Sequence, residues 1–90
     1  MTTVLYDPAA PAMEWRGHAG AGAAGGDLVC AALSTLLYTL IAAAPGAETE
    51  LSEGYACVAG GEAGPYRFAA AGLRLLAADY PRHVRLEVRP

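Results

Sequence analysis

Hydrophobic and polar positions divide the chain into seven stretches with different periods. Thr2 to Tyr6 is a short β-prone run closed by Asp7-Pro8-Ala9-Ala10-Pro11, which reads as a strand ended by a turn. Met13-Glu14-Trp15-Arg16-Gly17-His18 then alternates apolar with polar side chains, the period of a half-buried strand. That alternation directs Met13 and Trp15 inward and places Arg16 and His18 together on the opposite face. The two strands are expected to pair as an antiparallel hairpin.

Leu28 to Ala44 runs for seventeen residues without a charge, preceded by Asp27 as an N-cap and stopped by Pro45-Gly46. Apolar residues surround this helix almost completely, which predicts burial at the centre of a small domain. Its length is at the lower limit for a membrane span. Ser34, Thr35, Tyr38 and Thr39 lie within it and basic flanks are lacking, so the buried-helix reading is preferred.

Thr49–Ser52 and Tyr55–Ala59 suit a second hairpin around Glu53-Gly54. Pro65 fits the first turn of a second helix, in which Phe68, Leu73, Leu75, Leu76 and Ala77 supply the apolar side up to Asp79-Tyr80-Pro81. His83-Val84-Arg85-Leu86-Glu87-Val88-Arg89 alternates cleanly and closes the chain as a half-exposed strand. The order β-β-α-β-β-α-β predicts a small single α+β domain over residues 1–90, with two helices packed on a mostly antiparallel sheet.

Composition narrows the partners. The chain has 90 residues, of which 54% are hydrophobic, and alanine makes up much of that fraction, so its core is thin. A net charge of −3, with six dispersed arginines and no lysine, argues against nucleic acid as a direct partner. Met1 to Tyr6 resembles no secretion signal, and two cysteines are too few for a disulfide scaffold. The expected setting is the cytoplasm, where an unbridged cysteine serves structure, metal binding or catalysis.

The chemistry concentrates between His18 and Ser34. His18 is followed by eight residues of glycine and alanine, including Ala19, Gly20, Gly22, Gly25 and Gly26, then by Asp27 and Cys30. Such a loop packs weakly, which suits a mobile gate over a substrate or a slack connector. Helix N-termini and neighbouring histidines favour the thiolate form of a cysteine. Backbone N–H groups of Val29 and Cys30 in the first turn are candidate donors to an oxyanion. Cys30 is therefore a candidate nucleophile with His18 as general base and acid, but a small buried thiol explains its position equally well. Asp27 is expected to cap the helix and is a possible orienting group for the histidine.

Other constellations are weaker. Gly20-Ala21-Gly22-Ala23-Ala24-Gly25 formally matches a dinucleotide-binding loop, but the preceding strand is amphipathic and the chain is too short for a doubly wound sheet. Cys57 is expected to pack within its strand, and His83 to lie solvated at a strand start. His18, Cys30, Cys57 and His83 have no spacing typical of a zinc site, so neither metal nor cofactor is expected.

The segment Gly17-His18-Ala19-Gly20, then Asp27-Leu28-Val29-Cys30-Ala31-Ala32-Leu33-Ser34, closely resembles the signature of the ribosomal-processing cysteine proteases (Prp-type). Ala78-Asp79-Tyr80-Pro81 followed by a final strand is similar to the family's C-terminal part. The resemblance implies a homodimeric cytoplasmic thiol endopeptidase with His18 and Cys30 as catalytic dyad. Its implied substrate is the precursor of the large-subunit ribosomal protein L-twenty-seven, cut after a short apolar and aromatic sequence, with no membrane or direct nucleic-acid partner. The alternative is a non-catalytic dimeric domain that binds a ribosomal or ribosome-assembly partner.

Overall fold

The computed structural model describes residues 1–18 and 28–90. In chain order the elements are β1 (Thr2–Asp7), β2 (Ala12–Arg16), α1 (Leu28–Ala43), β3 (Glu48–Ser52), β4 (Tyr55–Ala59), α2 (Ala63–Asp79) and β5 (Val84–Val88). Their order and types are those that the hydrophobic pattern predicts. The strands form one sheet in the order β3-β4-β2-β1-β5. All pairings are antiparallel except that of β1 with β5.

The turns follow from local chemistry. Asp7 ends β1 because its carboxylate accepts from the backbone N–H groups of Ala9 and Ala10, at 3.0 and 3.2 Å. Ser52 and Tyr55 face each other across the β3–β4 turn, where Gly54 takes a φ of +69°.

Alternation assigns each strand residue to a face. Val4 and Tyr6, Met13 and Trp15, Ala56 and Val58, and Val84 are buried and form one core with Val29, Leu33 and Leu40 of α1 and Tyr66, Ala69, Ala70 and Leu73 of α2. Each fully buried large side chain in this set contributes roughly 1.5–3 kcal/mol of transfer free energy. The opposite face of the sheet carries Leu5, Glu14, Cys57 and Glu87 in one row across the strands. It is half-buried or exposed, so the fold has two layers rather than three.

Two expectations about the helices need correction. Only one side of α1 is covered: Val29, Leu33 and Leu40 are buried, while Leu28, Ser34, Thr35, Tyr38 and Thr39 are exposed. The outward side is built of alanine, hydroxyl residues and a tyrosine, which tolerate water despite their lack of charge. No helix among the described residues is long and apolar enough to cross a membrane. In α2 the buried side is Tyr66, Ala69, Ala70 and Leu73, with Leu76 and Ala77 partly covered. Phe68 and Leu75, expected on the apolar side, are each 70% exposed. They stand seven residues apart and therefore share one outward face.

Candidate active site

Cys30 occupies the third position of α1, half-buried, in the turn whose backbone N–H groups have no acceptor within the helix. His18 lies two residues beyond the end of β2. Its expected place beside Arg16 on the strand's outer face is not what the structure shows. Gly17 adopts a φ of +88° and interrupts the alternation, and His18 lines a cleft with the core-facing Trp15. A β-carbon at Gly17 would lie 2.4 Å from the Met1 carbonyl oxygen, so no side chain fits there.

The cleft has a volume of about 210 Å³ and brings His18 and Cys30 together. Leu33, Leu37 and Tyr38 of α1 and Leu51 of β3 line it as an apolar wall, and Ser34 stands one turn after Cys30. The main chain at His18 is held on two sides. Its carbonyl accepts from the Met1 amino group at 2.7 Å, and the Gly17 N–H donates to the Gly54 carbonyl at 2.8 Å. Trp15, 5% exposed, also lines the cleft, and its buried indole N–H has no acceptor among the described residues.

A larger depression, about 460 Å³, lies over the outer sheet face around Leu5, Glu14, Cys57 and Glu87. It offers a thiol without an imidazole. Cys57 is accordingly not a core residue: Ala56 and Val58 are the buried members of β4, and Cys57 faces outward between Glu14 and Glu50 of the neighbouring strands. Close by, Arg16 donates to Glu14 and Tyr55 donates to the same carboxylate at 3.4 Å. The hydrogen bond from Arg16 is the main cause that holds the Glu14 carboxyl below the ordinary range. Tyr55 is pushed the other way, first by loss of hydration and then by Cys57 and Glu14. His83 is half-buried rather than fully solvated, with its carbonyl accepting from the Thr2 N–H at 2.9 Å.

Asp27 and the glycine/alanine positions Ala19, Gly20, Gly22, Gly25 and Gly26 lie outside the described residues. Among the described residues no group of histidine, cysteine and carboxylate side chains could hold a metal ion. The sequence reading did not single out Gly54, Trp15, Tyr38 or Leu51 as site residues. The Glu53-Gly54 turn signal was available for the first, whereas the other three are placed by tertiary packing alone.

A cleft presenting a thiol at a helix start and an imidazole just past the end of a strand is the equipment of thiol hydrolases, here on a two-layer α+β fold. Comparison with known proteins agrees. Residues 2–58 match the model of the family described as cysteine protease Prp. The chain belongs to this family of cysteine proteases.

Among solved structures, it is similar to an essential ribosomal processing protease Prp from S. aureus in complex with a covalently linked product peptide. That pair has a TM-score of 0.87 and 20% identity, covering 99% of this chain and all of the other. The same S. aureus protease in complex with a substrate peptide gives a TM-score of 0.80 and 19% identity over 99% of this chain and all of the other. SMU.848 from Streptococcus mutans matches with a TM-score of 0.68 and 23% identity, over 97% of this chain and 90% of that one. No match was found among curated proteins.

Proposed function

We propose that this protease cuts a ribosomal protein precursor, with Cys30 as the nucleophile and His18 as the general base and acid. The observation that carries the reading is the shared cleft, which is lined by both His18 and Cys30, whereas neither Cys57 nor His83 lines it. His18 would take the thiol proton as sulfur attacks the scissile carbonyl and return it to the leaving amine. The N–H groups of Val29 and Cys30 would receive the developing oxyanion, since they lie in the first turn of α1 at the positive end of the helix dipole.

The substrate reading rests on two supports. The S. aureus relatives are named as ribosomal processing proteases and carry peptides. The wall of Leu33, Leu37, Tyr38 and Leu51 suits apolar and aromatic side chains next to the cut. The specific substrate we assign is the N-terminally extended precursor of ribosomal protein L-twenty-seven, processed in the cytoplasm by a homodimer. The exposed apolar face of Phe68 and Leu75 is compatible with such pairing.

The test incubates the protein with the extended precursor from the same host and follows the shortened product by mass spectrometry. Wild type is expected to cut, whereas Cys30→Ala and His18→Ala are not. Binding of the precursor without cleavage by wild type would replace the protease reading with that of a non-catalytic binding domain.

A further inference from the structure

We propose that Gly54, in the β3–β4 turn, is a positioning residue for the His18 imidazole: the ring is seated because no side chain stands at position 54. This inference rests on the dyad reading of His18 and Cys30. A β-carbon built on Gly54 would lie 3.2 Å from His18 Nε2, 3.7 Å from Cδ2 and 3.9 Å from Cε1. All of its nearest neighbours are thus atoms of one imidazole, and the tightest contact falls on a nitrogen. The ring uses the bare α-carbon as its floor.

The main chain around the ring is fixed by other contacts. Gly17 donates to the Gly54 carbonyl at 2.8 Å, which ties the histidine's loop to the β3–β4 turn. The His18 carbonyl accepts from the Met1 amino group at 2.7 Å. Thr2 Oγ1 donates to the Gly17 carbonyl at 3.4 Å. With the backbone held on both sides, a methyl group at position 54 has to be relieved by rotation of the ring. Proton transfer requires donor and acceptor within about 2.6–3.2 Å, and a displacement of roughly 1 Å costs on the order of a hundredfold in rate.

Gly54 also has a φ of +69°, so an ordinary substitution there adds backbone strain to the ring contact. Two variants separate these effects. Gly54→Asn introduces a residue that tolerates the left-handed region but keeps the β-carbon. Gly60→Ala introduces strain at a φ of +89° where a β-carbon meets no heavy atom within 4 Å.

In a Cys57→Ala background, which leaves one thiol, the rate of alkylation of Cys30 by iodoacetamide at pH 6.5 and the kcat and KM for precursor cleavage are measured. His18 ring signals are followed by NMR. Gly54→Ala and Gly54→Asn are expected to lower kcat about tenfold or more, with KM within about twofold, to slow alkylation and to shift the ring signals. Gly60→Ala is expected to lose thermal stability while keeping all of these readouts.

The proposal is overturned if Gly54→Asn keeps kcat and alkylation within about twofold of its parent, or if Gly60→Ala loses as much activity as Gly54→Ala. His18→Ala separates the two levels. If it leaves alkylation and cleavage intact, the dyad reading falls and the role of Gly54 falls with it. If it lowers both while Gly54→Asn does not, only the role of Gly54 is lost.

Discussion

Gly72 of α2 meets Leu36 of α1 so closely that a β-carbon on the glycine would lie 2.7 Å from Leu36 Cδ2 and 3.1 Å from Cδ1. This contact sets how closely the helices approach above the sheet. Replacing a mid-helix glycine by alanine ordinarily gains roughly 1 kcal/mol. Here Leu36 must give way, and it is partly buried against the core. Gly72→Ala is expected to leave the thermal midpoint near that of wild type. Gly72→Leu should lower stability by about 1–3 kcal/mol through overpacking, measured by urea unfolding. A clear rise in midpoint for Gly72→Ala would show that the helices can move apart at little cost.

A contrast within one helix tests the burial assignment. Leu73 is fully buried and Leu75 is 70% exposed. Leu73→Ala should cost about 2–5 kcal/mol, whereas Leu75→Ala should stay within roughly 0.5 kcal/mol at low protein concentration. Chemical denaturation of the two variants side by side decides it; equal losses would contradict the packing described.

The two cysteines should be chemically distinct. Cys30 shares its cleft with His18, while Cys57 faces outward from the sheet. Cys57→Ala is expected to cleave precursor at the wild-type rate and to remain fully inhibitable by iodoacetamide. Cys30→Ala is expected to be inactive whatever is done to Cys57. Loss of cleavage in a folded Cys57→Ala protein would move the chemistry to the other face.

Acid sensitivity has a named contributor in Glu14. Its carboxyl is held below the ordinary range, chiefly by the Arg16 hydrogen bond. A carboxylate depressed in the folded state adds stability that is present above its unfolded pKa and is lost as pH falls through the folded one. Glu14→Gln should therefore flatten the fall of the thermal midpoint in the range below about pH 5, with little change near neutrality. Because Arg16 is exposed, the effect should shrink in high salt. An unchanged slope in Glu14→Gln would remove the pair from the acid response.

Most of the fold was legible because its signals are local. Glu53-Gly54 lies between two short strand runs, Asp7-Pro8 ends another, and Val84-Arg85-Leu86-Glu87-Val88 alternates without interruption. These features fixed element type and order. Burial was less legible, because it depends on what is packed against each side. Uncharged α1 looked wholly covered, yet its alanine and hydroxyl side faces water. Phe68 and Leu75 looked like core and are not.

At the site, His18 and Cys30 stood out by residue type and spacing. The direction of the histidine did not, because the reversal at Gly17 is a matter of φ rather than of hydrophobic period. Gly54 was visible as a turn residue, but its contact with the His18 ring joins two parts of the chain that alternation treats separately.

The parallel pairing of the first and last strands has a consequence for the order of assembly. Thr2 faces Val84 across the sheet, and its N–H donates to the His83 carbonyl. Thr2 and Met1 also hold Gly17 and His18. During synthesis at about 5–20 residues per second, β1 therefore waits for seconds before its parallel partner exists. The strand whose first residues hold Gly17 and His18 is thus itself braced along one edge by β5, the element made last.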